Sequence, residues 1–266
     1  TGVFAKMVYK NQSLLDRPME YNIWRAPTDN DRNIKLEWMK AQYDRIVTRA
    51  YETKVHKTEK EVKIETTLSI SAIYIQRILD IQVTWNIQAD GTVDIAMDVK
   101  RNPIFPMLPR FGLRLFLPKE MKDVTYYGLG PVESYMDKRR ASWHGEFSSP
   151  VTDLHEDYIR PQENGSHYDC DYVTLSSNAG HLLPERKTSL TAVSGQTFSF
   201  NASVYTEEEL TNKAHHYELE ECGSTVLCLD YRQNGIGSNS CGPQLIEKYR
   251  LDETEFHFEL RLKPEA

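Results

Sequence analysis

The sequence is short of the features that mark several large functional classes. Basic charge is not in excess: 32 Lys and Arg stand against 39 Asp and Glu, giving a formal net charge of −7 and a pI near 5.7. Binding along a phosphate backbone needs a clustered Lys/Arg surface that displaces counterions, so nucleic acid is excluded as the expected partner. No apolar run approaches the ~20 residues that cross a bilayer as a helix, and the first 30 residues show no basic-then-apolar signal pattern. Membrane partners are therefore not expected either. Cysteine is scarce: Cys170, Cys222, Cys228 and Cys241 have no CxxC spacing, and the 8 His are scattered. A zinc site is unsupported, and free thiols are the default in a chain of this size, with a disulfide as the alternative. There is no GxSxG, HExxH or P-loop, no internal repeat, and no Pro/Gly/Ser linker.

What is present is period-two alternation. In Glu61 to Ile70 the apolar side chains sit mostly at even positions, the pattern of a half-buried strand. Leu79 to Ile87 and Thr92 to Val99 repeat it on either side of Ala89-Asp90-Gly91, which predicts a hairpin. Further strands are expected at 110–117, 172–176, 197–204, 225–231 and 253–262. The 266 residues suffice for a large all-β sandwich, and two packed antiparallel sheets bury such strands most simply. The fold class expected is thus all-β, with one or two short helices. One helix is expected from Thr206, where Thr206 and Glu209 form a capping-box pattern, to about His215. A second is expected over 34–46, with Leu36, Met39, Tyr43 and Ile46 as its apolar stripe. The stretch from Tyr126 to about Asp171 reads as a long ordered loop region, the usual place for binding surfaces. The chain opens on Thr1 instead of Met, which suggests a piece of something longer.

Four clusters carry recognisable chemistry. Trp24-Arg25-Ala26-Pro27-Thr28-Asp29-Asn30-Asp31 is either an Asx-type turn with Arg25 as an ion-pair partner, or a polar loop offered to a sugar or a neighbouring domain. It lacks the Gly and terminal Glu of an EF-hand. Gly128-Leu129-Gly130-Pro131-Val132-Glu133-Ser134-Tyr135 is a Gly-rich turn without GxGxxG spacing, which excludes a dinucleotide fingerprint. Pro161-Gln162-Glu163-Asn164-Gly165 is a Pro-set loop that orients Glu163, either toward a ligand or as internal support. Asn234 to Pro243 is a glycine-containing loop in which Cys241 has no basic neighbour in sequence, so a packed, inert thiol is expected. No local motif selects two of the carboxylates as a glycosidase pair.

Taken in order, these segments resemble the C-terminal, small-chain part of the large β-galactosidases of glycoside hydrolase family 2. The resemblance rests on 24–31, 128–135, 161–165 and Gly235-Ile236-Gly237, and it covers nearly the whole chain as one domain, 1–266. It implies a two-sheet antiparallel supersandwich like that of the galactose mutarotases. It also implies a parent enzyme, cytoplasmic or periplasmic, that hydrolyses terminal non-reducing β-D-galactose with retention, through a barrel domain lying N-terminal to this one. Both catalytic glutamates and the Mg2+ ligands, with Na+ as a further candidate ion, belong to that barrel in the family. No catalytic residue, metal or cofactor is therefore expected in this chain, which alone should be inactive. Its implied partners are a β-galactoside, the other domains of the parent, and further copies of the parent in a homo-oligomer.

By the same resemblance, Arg25, Asp29, Asn30, Asp31, Glu133, Glu163, Asn164, Asn239 and Cys241 are the cleft or domain-interface candidates. The loop beginning Arg32-Asn33-Ile34 corresponds to one that moves over the site in studied members. Cys241 stands where some members carry a Trp that stacks on sugar, and Ser166 to Asp171 departs from the family pattern. The alternative is a free-standing carbohydrate-binding module, or an aldose-1-epimerase-like protein using His167 and Glu163 as acid and base.

Overall fold

The computed structural model describes residues 1–177, 188–238 and 240–266. The strands are β1 (Val8–Tyr9), β2 (Gln12–Ser13), β3 (Arg17–Asn22), β4 (Val47–Lys57), β5 (Glu61–Ser71), β6 (Leu79–Gln88), β7 (Val93–Arg101), β8 (Arg110–Pro118), β9 (Asp123–Gly130), β10 (Trp143–Pro150), β11 (His167–Ser176), β12 (Ser189–Ser203), β13 (Ser224–Gln233) and β14 (Glu255–Glu265). Helices α1 (Ile34–Lys40) and α2 (Glu207–Asn212) complete the regular elements. The chain is thus all-β with two short helices, and its strands pair antiparallel, as the alternation predicts.

The two expected sheets share a strand. One branch runs in the order β10-β9-β11-β12-β14-β7-β6-β5-β4, and the other leaves β12 through β13 and β8 to β3. The 15-residue β12 makes this possible: residues 189–193 pair with β14, and residues 199–203 pair with β13. The branches then close on each other over a common apolar core. Phe111 of β8 meets Phe256 of β14 edge-on at 5.0 Å, and Tyr231 of β13 stacks on the same ring at 4.7 Å. Inward side chains such as Trp85, Met97, Leu113, Phe200, Leu229 and Phe258 belong to one buried cluster drawn from both branches.

The β6–β7 hairpin forms as expected, with Ile87 opposite Val93 and Asp90 accepting the Thr92 amide at 2.8 Å. Three local expectations are corrected. The helix expected over 34–46 stops at Lys40, because Gln42 adopts a left-handed φ of 57° and redirects the chain into a 3₁₀ turn at Tyr43–Arg45. Its buried residue is Trp38, whose indole N–H donates to the Met107 carbonyl at 2.9 Å. Leu36 and Met39 instead remain 61% and 42% exposed. The helix from Thr206 ends at Asn212, and its capping box is half made: Thr206 accepts the Glu209 amide, but Glu209 accepts the Glu220 amide instead of turning back. The region 126–171 holds regular structure, since the end of β9 pairs with β10 there and the start of β11 pairs with β12. Glycine hid it: a Cβ on Gly128 would lie 2.4 Å from the Cys170 sulfur, so close strand contact demands glycine where a strand-forming residue would have signalled a strand.

Replacing Phe258 by Ala empties the space between the branches. The expected cost is about 3–5 kcal/mol, read as a fall in the urea midpoint with little change in slope.

Candidate functional site

The fork in the sheet gathers the four motif loops. β13 ends and β11 begins beside the middle of β12, where Ser199 pairs with Asp230 and Phe200 with His167. The loop at 24–31 leaves β3, whose end pairs with β8 beside β13. The loop at 131–138 leaves β9, and the loop at 160–166 enters β11.

Arg25 is the centre of the first joint. Its Nε and Nη2 grip the two oxygens of Asp31 at 3.1 and 2.8 Å, Nη2 also donates to the Gly235 carbonyl at 3.1 Å, and Nη1 donates to the Asn234 carbonyl. Asp31 further accepts the Thr28 amide at 2.9 Å and the hydroxyls of Thr28 and Ser238. Both charged side chains are fully buried. A planar fork of donors suits this task, since it satisfies a carboxylate and two carbonyls at once.

The other joints are of the same kind. Asp137 accepts the amides of Ile236 and Gly237 at 3.0 and 2.8 Å, tying the second motif region to the fourth. The Glu163 amide donates to the Ala26 carbonyl at 2.9 Å and the Asp29 amide to the Gln162 side chain at 3.0 Å, tying the third motif to the first. Glu133 accepts the Gly165 amide at 2.8 Å, the Tyr158 hydroxyl at 2.9 Å, and Lys138. Asn164 accepts the Glu156 amide at 3.0 Å. Gly165 sits at φ +69°, and a Cβ there would lie 2.3 Å from the Leu154 carbonyl oxygen.

The candidates from sequence therefore divide. Arg25, Asp31, Glu133, Glu163 and Asn164 are buried and spend their polar atoms on neighbouring loops, whereas Asp29, Asn30 and Cys241 are exposed. Asn239 lies outside the described residues. Ser240 joins the exposed group by donating to the Asn30 side chain at 2.9 Å. Cys241, expected to be packed, is exposed instead, in a stretch where Pro243 and the flanking Gly242 and Gln244 are exposed as well. Arg32-Asn33 runs straight into α1. All four thiols are free. Among the described residues no three His, Cys, Asp or Glu side chains converge as a metal-binding group. No helix among the described residues is long and apolar enough to cross a membrane.

Beneath the loops lies a charged cluster that motif reading missed. Arg110 is fully buried and meets Asp230, Glu163, Glu207 and Asn201. Arg114, four residues further along β8, meets Glu207, Glu208 and Glu20. Burial pushes Asp230 up to about 7 and raises Glu163 as well, with Arg110 opposing in both cases. Burial also acts to raise Glu207, but Arg114 and Arg110 outweigh it and hold that carboxyl near 2. His167 is buried against Tyr126 and Phe200, and loss of hydration lowers it to about 4. The available signal was a charge inside an apolar strand, as in Arg110-Phe-Gly-Leu and Leu229-Asp230-Tyr231; such a charge is retained only with a partner.

An antiparallel β framework whose shared strand supports a polar cap of four bonded loops defines the class. The family model described as "Beta galactosidase small chain" matches residues 1–262. The chain belongs to the β-galactosidase small-chain family. It is 42% identical to a β-galactosidase of Actinobacillus pleuropneumoniae over 96% of this chain and 24% of that protein. A β-galactosidase of Staphylococcus xylosus is 41% identical over 95% of this chain and 25% of that protein. The chain thus spans about a quarter of the length of these curated relatives. Among solved structures, a GalM/aldose epimerase homologue from C. elegans is 9% identical over 80% of this chain and 67% of that chain, with a TM-score of 0.32.

Two substitutions probe the cap. Arg25→Lys keeps the charge but loses the fork, leaving Asp31 and two carbonyls short of donors; we expect a loss of about 3 kcal/mol or more by chemical denaturation. Gly165→Ala should lower the melting temperature well below that of Gly223→Ala, because both glycines have positive φ but only Gly165 also faces a backbone oxygen.

Proposed function

We propose that this chain is the part of a retaining β-galactosidase that borders the sugar cleft and docks against the rest of that enzyme. The observation that carries the reading is the cap itself, in which all four motifs of the family bond to one another beside the sheet fork. The buried members hold the shape, and the exposed rim of Asp29, Asn30, Ser240 and Cys241 is the surface offered outward. Carboxylate, amide and hydroxyl groups of that kind match the hydrogen-bonding pattern of a sugar.

Retaining hydrolysis needs two carboxyl groups about 5–5.5 Å apart across the scissile bond, one as acid and one as nucleophile. Of Asp29, Asp31, Glu133 and Glu163 only Asp29 is exposed, and the others are consumed inside the cap. The reaction is accordingly assigned to carboxylates, and to Mg2+, supplied by the remainder of a longer chain. This domain then contributes rim contacts and rigidity. Assembly into a homo-oligomer would be a property of that longer protein. The epimerase alternative asks His167 and Glu163 to reach an anomeric centre, yet both are buried, with His167 Nδ1 bonded to the Leu129 carbonyl.

The purified chain should give no turnover of an aryl β-galactoside, while a natural longer protein containing it should hydrolyse the compound readily. Turnover by the chain alone would overturn the proposal, and faster mutarotation of fresh α-galactose would favour the epimerase. In the longer protein, Cys241→Trp should tighten binding of a sugar in the acceptor position by about 2- to 10-fold through ring stacking, with little change in hydrolysis rate.

A further inference from the structure

The surface clefts offer little free chemistry. Those on the outer face of β6, β7 and β14 are lined by groups that have already closed on each other, Asp94 with Arg261 and His257 with Asp98 and Glu259. The unbalanced chemistry is inside, under the cap. Five carboxylates are buried there; Lys138 answers Glu133, and the other four, Asp31, Glu163, Glu207 and Asp230, face three guanidinium groups, Arg25, Arg110 and Arg114. Arg25 is committed to Asp31, and Arg114 must serve Glu20 and Glu208 as well as Glu207. That leaves Arg110, which also touches Glu207 at 3.5 Å, as the one cation among the described residues in ion-pair contact with both Asp230 and Glu163; Arg25 acts on Glu163 only from farther off.

We propose that Glu163 and Asp230 share one proton in the folded protein, so that their cluster is an alkaline-sensitive latch beneath the loop 160–166. Two ionised carboxylates at one buried guanidinium repel each other without water to screen them. Holding a proton on one of them removes that repulsion, at the cost of one of the hydrogen bonds its oxygens accept. Ionised Glu207 adds to the repulsion felt by both carboxyls, and Arg25 opposes it at Glu163. Glu163 also accepts from Asn201 Nδ2 at 2.9 Å and from Tyr135 at 3.4 Å, and Tyr135 itself is pushed well above its ordinary range, by burial first and then by Glu163 and Glu133. Cys228 and Tyr135 stay protonated, and Glu133 is closed on Lys138 and Gly165. A cavity of about 20 Å³ bordered by Arg110, Glu163, Glu207, Cys228 and His155 is large enough for one water beside the pair.

The sign follows from proton linkage. A carboxyl whose folded value is raised binds more protons folded than unfolded, so its contribution is complete below about pH 4 and is lost as pH rises through the folded value near 7. Glu207 acts oppositely, since its contribution is present above its unfolded value and disappears only as pH falls toward 2. The latch is therefore tight in mildly acid solution and loosens on the alkaline side. Through the Glu163 amide bond to Ala26, loosening passes to the loop 24–31.

The unmodified protein tests this without any variant. Its infrared spectrum should show a protonated-carboxyl band at pH 6 that is lost by about pH 9, in parallel with a fall in melting temperature of roughly 4 °C or more. In Glu163→Gln and in Asp230→Asn the band should be absent at pH 6 and the alkaline fall reduced at least twofold. Absence of the band from the unmodified protein at pH 6, or an unchanged melting profile in both variants, overturns the proposal. This outcome is independent of galactoside turnover, so it separates the latch from the sugar-cleft reading.

Discussion

Burial of the Arg25 guanidinium is the constraint on which the cap depends. Removed from water, it must find acceptors for its N–H groups, and it finds them on Asp31, Asn234 and Gly235, in segments more than 200 residues apart. One side chain thereby decides where the last motif lies relative to the first. The pair is not a large source of net stability, because desolvating two charges offsets most of their attraction. Its effect is on specificity, since any other arrangement of these loops leaves a buried charge unanswered.

The same logic operates at a second level beneath the loops. Arg110 lies where β13 and β12 run side by side, and it reaches Asp230 on one, Asn201 on the other and Glu163 in the loop above. Strand geometry and loop geometry are thus coupled through a single residue.

The fork at β12 gives the loops their meeting place. A sandwich of two separate ladders would leave β11 and β13 in different sheets, whereas a shared 15-residue strand brings the start of one beside the end of the other. Long antiparallel strands with their own twist can take partners on both edges and change them along their length. Family membership and the cap geometry rest on different observations, one on the match over 1–262 and the other on named bonds among its loops.

The sequence by itself determined the all-β class, because alternation such as Leu79 to Ile87 leaves one face of a strand that only a second layer can bury. It also determined which segments matter, through motifs whose order matched a family. It could not reveal β9 and β10, where glycine replaced strand formers, nor the left-handed Gln42 that shortened α1. Nor could it divide the candidates: Asp29 and Asp31 are two residues apart and chemically alike, yet one faces solvent and the other is sealed against Arg25. That division depends on which distant atoms surround each carboxylate, and so do the protons held beneath the cap. Such neighbours are set by the closing of the two branches around β12, a property of the packed chain that no local run of residues contains.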